Sequence, residues 1–224
     1  MSESTARPGN RSWTEMVSVR DAVRLATDVY LPDGPGPFPV VLERTPYGRG
    51  DISRSEITAA DPKPIGRADF AALFTASGYA VVFQDNRGRH GSEGRFVKYL
   101  SDGEDGFDCC AWITAQPWCD GRICTLGLSY AAHTQAALAC LDAPGVVAQV
   151  LDCGGFSNSW TSGIRSSGAF ELKQATWALR QAILSPEAEA DPVLRAALQA
   201  EDVRDWFTRL PWKPGHSPLR HHPD

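Results

Sequence analysis

No stretch of this chain approaches the roughly 20 consecutive apolar residues that a bilayer-spanning helix needs. The opening MSESTARPGNRSW also has no apolar core of the kind a secretory leader carries. Both absences set the expectation of a cytoplasmic protein that makes no membrane contact. Basic residues are not in excess. The 22 Lys and Arg stand against 27 Asp and Glu, and a formal net charge of -5 with the signs interspersed offers no face for nucleic acid and no polybasic anchor. The six cysteines, Cys109, Cys110, Cys119, Cys124, Cys140 and Cys153, lack C-x-x-C spacing and histidine partners. That argues against a metal site and for small buried residues in a reducing compartment. Histidine is scarce, with three of the five, His216, His221 and His222, in a proline-bearing tail. No internal repeat is visible.

What is present suits a sizeable core. The 224 residues are enough for one domain or one and a half. Residues 1–12 are polar and read as loose. From Met16 to Leu31 apolar and polar positions alternate around Arg20-Asp21, the pattern of an antiparallel hairpin. Phe38 to Leu42, Tyr79 to Phe83 and Val146 to Leu151 are short continuous apolar runs, as in strands buried on both faces. Helical spacing occupies Pro64 to Ser77, ending before Gly78. A second helix starts at Ser101, which with Glu104 reads as a capping box, and runs to about Thr114. A long polar loop, 43–62, follows the first of these strands, and loops of that length are more often functional than idle. Alternation of strand and helix after the hairpin predicts a mainly parallel, doubly wound α/β sheet. The pattern then changes. Residues 156–168 form a Ser- and Gly-rich loop, three helical segments follow, and no further strand is expected. The first segment pairs Leu172, Ala175, Leu179 and Ile183, and the second starts at Asp191-Pro192. The third carries Val203, Trp206, Phe207 and Leu210 before Pro211.

The chemistry gathers at Arg122 to Thr134, RICTLGLSYAAHT, where an apolar run ends in Gly127-Leu128-Ser129 and passes directly into a helix-favouring segment. Such a turn lifts a serine hydroxyl above the carboxyl edge of a parallel sheet, beside the first amides of a helix. The usual signature is G-x-S-x-G, and here alanine fills the last place. The plain alternative is that Ser129 only caps the helix starting at Tyr130. A serine needs a base, usually histidine oriented by a carboxylate, and in this topology both follow the serine in the chain. Asp152 closes the strand next along. Asp142, at the far end of the helix, is a poorer choice. His133 lies one turn along the same helix, pointing away from the hydroxyl, His90 precedes the serine, and the tail histidines read as solvated. The residues therefore offer a nucleophile without a base. For an oxyanion hole, one donor is the backbone N–H of Tyr130. A second is the hydroxyl of Tyr47, in the loop opening Arg44-Thr45-Pro46-Tyr47, unless that ring is simply packed against the loop.

Four motifs in order, RDAVRLATDVYLP, ERTPYGRGD, GYAVVFQDNRGRHGSEGRF and AWITAQPWCDGRICTLGLSYAAHTQ, resemble the CocE/NonD hydrolases. That group contains cocaine esterase, α-amino acid ester hydrolases and Xaa-Pro dipeptidyl-peptidases. The resemblance covers roughly Met16 to Trp160. It implies an α/β-hydrolase core over 13–157, with a helical cap inserted after the strand ending near Asp152 and begun by 158–224. It implies Ser129 as nucleophile, Tyr130 as amide donor and Tyr47 as hydroxyl donor, with Arg87 in a structural loop motif. The substrates implied are small esters or amides or short peptides, cleaved through an acyl-enzyme with a small acyl group under the cap, and no cofactor is needed. The acid and histidine of the triad, and a β domain, lie beyond the cap in that family. On this likeness the chain looks like the N-terminal fragment of a longer protein, poorly soluble and inactive alone.

Overall fold

The computed structural model describes residues 11–52, 63–154, 164–213 and 215–222. Three expected segments lie wholly or partly outside them: the loose N-terminus up to residue 10, the loop from 53 to 62, and the Ser- and Gly-rich loop up to 163. The chain divides into two compact units, Met1–Gly155 and Phe156–Asp224.

In the first unit β1 (Arg11–Ser18) and β2 (Arg24–Leu31) form the antiparallel hairpin, with Met16 opposite Ala26. Arg11 and Ser12, expected to be loose, are part of β1, held across the hairpin by Leu31 and Tyr30. β3 (Phe38–Thr45), β4 (Ala80–Asp85), β5 (Cys119–Leu128) and β6 (Val146–Asp152) complete a six-stranded sheet in the order β1-β2-β4-β3-β5-β6. β2 joins β4 antiparallel, and the pairings β4 to β3, β3 to β5 and β5 to β6 are all parallel.

The apolar runs at the sheet centre do not alternate because both faces are covered. Val40, Leu42, Ala80 and Val82 pack with Cys109, Cys110 and Ile113 of α2 (Asp102–Thr114) and Leu138 of α3 (Tyr130–Ala139). Val41, Val81 and Phe83 face the other way, against Phe70 and Ala71 of α1 (Arg67–Thr75). β3 also runs three residues past the apolar stretch. Glu43 pairs with Arg67, and the Arg44 Nε donates to Gln84 Oε1 at 2.8 Å, so polar side chains stay buried with partners.

Several local expectations are corrected. Ser101 lies at φ 64 and makes no side-chain cap bond, so no capping box forms at α2. β6 is not buried: Val147 is 61% and Val150 63% exposed, because among the described residues the strand pairs only with β5. Cys140 and Cys153 are exposed, whereas Cys109 and Cys110 are buried and burial pushes the Cys109 thiol up to about 12.

In the second unit a two-residue strand pair joins β7 (Arg165–Ser166), which lies in the stretch read as loop, to β8 (Ala169–Phe170), just past it, where no further strand was expected. α4 (Lys173–Ile183) buries Ala175 and Leu179 as the spacing predicts. α5 (Pro186–Ala190), unforeseen, is capped by Ser185, and α6 (Pro192–Gln199) by Asp191, whose carboxylate accepts from the N–H of Val193 and Leu194. The last expected helix is a single turn, α7 (Val203–Trp206), which leaves Leu210 exposed. No helix of the described residues is long and apolar enough to cross a membrane.

Candidate active site

One residue, Ser129, separates β5 from α3, at φ 60 and ψ -112. A non-glycine residue held there costs about 1–3 kcal/mol and persists only where its surroundings dictate it. The Ser129 N–H donates to the Asp152 carbonyl at 3.0 Å, and its own carbonyl accepts from the N–H of Ala132 and His133 at 3.1 and 3.2 Å. A Cβ on Gly127 would lie 2.4 Å from that of Ala131, and one on Gly154 would lie 2.4 Å from the Ser129 carbonyl oxygen. Neither glycine has room for a side chain, so the chain passes tightly on both sides of the serine. The alanine in the last place of the signature is Ala131, and its methyl fills the space above Gly127. Ser129 makes no side-chain cap bond to α3, so helix capping does not account for its hydroxyl.

Tyr130 opens α3, and the first N–H groups of a helix have no intrahelical acceptor. Its ring is buried, stacked on Tyr99 at 5.2 Å and tilted against Phe96 at 5.9 Å. Tyr47, two residues past β3, has its N–H bound to Thr45 Oγ1 and its ring edge-on to that of Tyr130 at 6.5 Å. The two residues expected to donate to an oxyanion thus meet at the carboxyl ends of β3 and β5.

Behind them lies a polar cluster that sequence reading missed. The Tyr130 hydroxyl donates to Asp102 Oδ2 at 2.9 Å and accepts from the Tyr99 N–H at 2.8 Å. Asn86 Nδ2 donates to Asp102 Oδ1 at 2.9 Å, and Arg44 Nη1 donates to the Asp102 main-chain carbonyl at 2.6 Å. Burial, reinforced by nearby Asp105, pushes the Asp102 carboxyl up to about 6 despite the opposing Arg44 charge and the bonds from Tyr130 and Asn86. No spacing rule marks such a residue. The only cue is an acid at the head of a helix, which reads first as a favourable end charge.

The remaining candidates are scattered. Asp152 ends β6 opposite Leu128 and is exposed. Asp142 lies past the far end of α3 at φ 48, also exposed. The His133 ring packs 4.1 Å from that of Tyr99, its Nε2 3.7 Å from Asp102 Oδ2. Burial, and then the Lys98 charge, hold its pKa down to about 4. His90 Nε2 sits 3.2 Å from the Pro46 carbonyl. The tail histidines are engaged within the second unit: His216 against Trp206, His221 with Glu201 and His222 with Ser185. Arg87 bridges Asp21 and Asp105, as a structural residue would.

A family described as X-Pro dipeptidyl-peptidase (S15 family) matches residues 21–217. The chain belongs to this S15 family. The match runs through both compact units and so extends past the Trp160 limit of the sequence motifs. Cocaine esterase of Rhodococcus sp. (strain MB1 Bresler) is 42% identical over 120 residues, which cover 54% of this chain and 19% of the esterase. Among solved structures, an α-amino acid ester hydrolase superposes with a TM-score of 0.62 at 25% identity, covering 79% of this chain and 31% of the other. A CocE/NonD family hydrolase from Staphylococcus aureus gives 0.52 at 23% identity over 65% of this chain and 30% of its own, a likeness of fold. The S15 chain therefore spans about a fifth of the curated esterase's length.

Proposed function

We propose that this S15 chain carries the nucleophile and oxyanion half of a serine hydrolase that cleaves esters or amides through an acyl-enzyme. The observation that carries the reading is the backbone of Ser129, held at φ 60 between β5 and α3 with its hydroxyl not spent on capping. In the reaction the Ser129 Oγ bonds to the substrate carbonyl carbon while a base takes its proton. The Tyr130 N–H and the Tyr47 hydroxyl stabilise the oxyanion, and the alcohol or amine leaves with a proton returned by the base. Water then cleaves the acyl-serine bond. Base and acid are supplied from outside the described residues, and 158–224 begins a helical cap. On this reading the isolated chain is inactive.

Two substrate classes are supported by different comparisons: esters by the 42% identity to an esterase, and Xaa-Pro peptides by the family description. Steady-state kinetics of the full-length protein on p-nitrophenyl esters beside an Ala-Pro anilide separate them. Ser129→Ala should abolish turnover of either. Tyr47→Phe should lower kcat by about 10²-fold with little change in KM, the usual cost of one oxyanion donor. An active Ser129→Ala protein would sink the reading and leave a non-catalytic α/β-hydrolase-like domain. A Tyr47→Phe loss under about threefold would remove Tyr47 from it.

A further inference from the structure

Asp102 sits where the carboxyl ends of three parallel strands converge. Arg44 near the end of β3 holds its main-chain carbonyl, Asn86 just past β4 holds one carboxylate oxygen, and Tyr130 just past β5 donates to the other. Only 5% of the residue is exposed. A buried carboxylate is costly, and an apolar or amide side chain fills such a space at less expense. What a carboxylate adds is a strong, directional acceptor on both oxygens. Here one of them receives a hydroxyl from the residue after the proposed nucleophile.

The N–H of Tyr130 takes its direction from the peptide that joins it to Ser129. The carbonyl end of that peptide is already fixed by the N–H groups of Ala132 and His133. The Tyr130 side chain fixes the other end. Its ring lies between Tyr99, Phe96 and Tyr47, and its hydroxyl is pinned by Asp102 and the Tyr99 N–H. The aromatic contacts, which include the His133 ring at 5.7 Å, restrict where the ring lies, and the hydroxyl bonds add a restraint along its axis. The ring of Tyr47 rests edge-on against the same tyrosine, so a shift of Tyr130 displaces both proposed oxyanion donors together.

We propose that Asp102 is a positioning residue for hydrolysis, aligning the oxyanion donors through the Tyr130 hydroxyl. It rests on the serine-hydrolase reading above. A donor misplaced by a fraction of an ångström weakens transition-state binding more than ground-state binding, so the loss falls on kcat. The test is steady-state hydrolysis of p-nitrophenyl acetate by the full-length protein as Asp102→Asn, Tyr130→Phe, the double variant and Ser129→Ala. Each single variant should lose about tenfold or more in kcat with KM within about twofold, and the double should lose no more than the worse single, since both cut one link. If Asp102→Asn fails to fold, Tyr130→Phe, which removes a single oxygen atom, carries the test alone. The proposal is overturned if kcat stays within about threefold of the parent, if losses in the double multiply, or if activity returns on cooling in step with stability. Activity surviving Ser129→Ala overturns the hydrolase reading and this inference with it. An inactive Ser129→Ala protein beside unaffected Asp102→Asn and Tyr130→Phe proteins overturns the inference alone.

Discussion

β3 and β6 run parallel in one sheet with β5 between them, and their sequences are nearly equally apolar: FPVVL begins one and VVAQVL fills the other. Their surroundings are opposite. Val40, Val41 and Leu42 are at most 3% exposed, whereas Val150 is 63% and Leu151 44% exposed. An apolar run states what a strand is able to bury, and its neighbours decide whether it does. β3 has strands on both sides and helices on both faces. β6 has one strand beside it among the described residues. The same division runs through the site. On the β3 and β4 side, Tyr47, Asn86, Asp102 and Tyr130 are locked together, while on the β6 side Asp152 stands exposed with no described histidine against it.

The largest effect that would break this comparison is chemical. Phosphonylation of Ser129 by a fluorophosphonate probe requires a base, and in the 224-residue chain His133 is packed against Tyr99 and His90 lies by Pro46. Labelling of this chain should be slower than that of the full-length protein by about 10²-fold or more, the usual worth of a positioned base. Rapid stoichiometric labelling that is lost in both Ser129→Ala and His216→Ala would mean that the triad is complete within these residues.

A second test weighs the strands themselves. Leu42→Ala empties a site that is 1% exposed and should cost about 2–5 kcal/mol. Leu151→Ala, at a site 44% exposed, should cost no more than about 0.5 kcal/mol. Equal losses in urea titrations of the two would show that β6 is covered in solution.

The central strands and their order were legible in the sequence because both-faces burial leaves an unbroken apolar run, and the elbow because strand, glycine and serine fall together. β6 was misjudged because the run is the same whether or not a neighbour covers it. The failed capping box has a related cause. The residues at 101–104 fit a local rule, but Asp102 bonds to Tyr130 and Asn86, distant in sequence, and Ser101 lies at φ 64 without a side-chain cap bond. Tyr130 was legible as the residue after the serine and Tyr47 as a tyrosine in the loop that follows β3, and likeness to a family then marked both as expected donors. Nothing in the order of residues announces that their rings meet.

The smallest effect concerns pH and separates the locked side of the site from ordinary surface charge. Asp102 has a folded pKa of about 6, above the usual carboxylate value, chiefly because it is buried. The stability it contributes is fully present below its unfolded value of about 3.9 and is lost as pH rises through about 6. His133 is the reverse case, held down to about 4 by burial and Lys98. Its contribution is present above about 6.5 and lost as pH falls through about 4. The two lie 3.7 Å apart, and their contributions run in opposite directions across the same window. Asp102→Asn should expose the histidine: its Tm relative to the parent should fall as pH is lowered from 6.5 to 4. His133→Gln should expose the acid, and its relative Tm should rise over the same interval. Each swing is at most about 3 kcal/mol. Because other carboxylates and histidines titrate there too, the readout is the difference from the parent at each pH. Difference curves that are flat, or that share one sign, would show that the corner behind Ser129 is as open to water as β6 is.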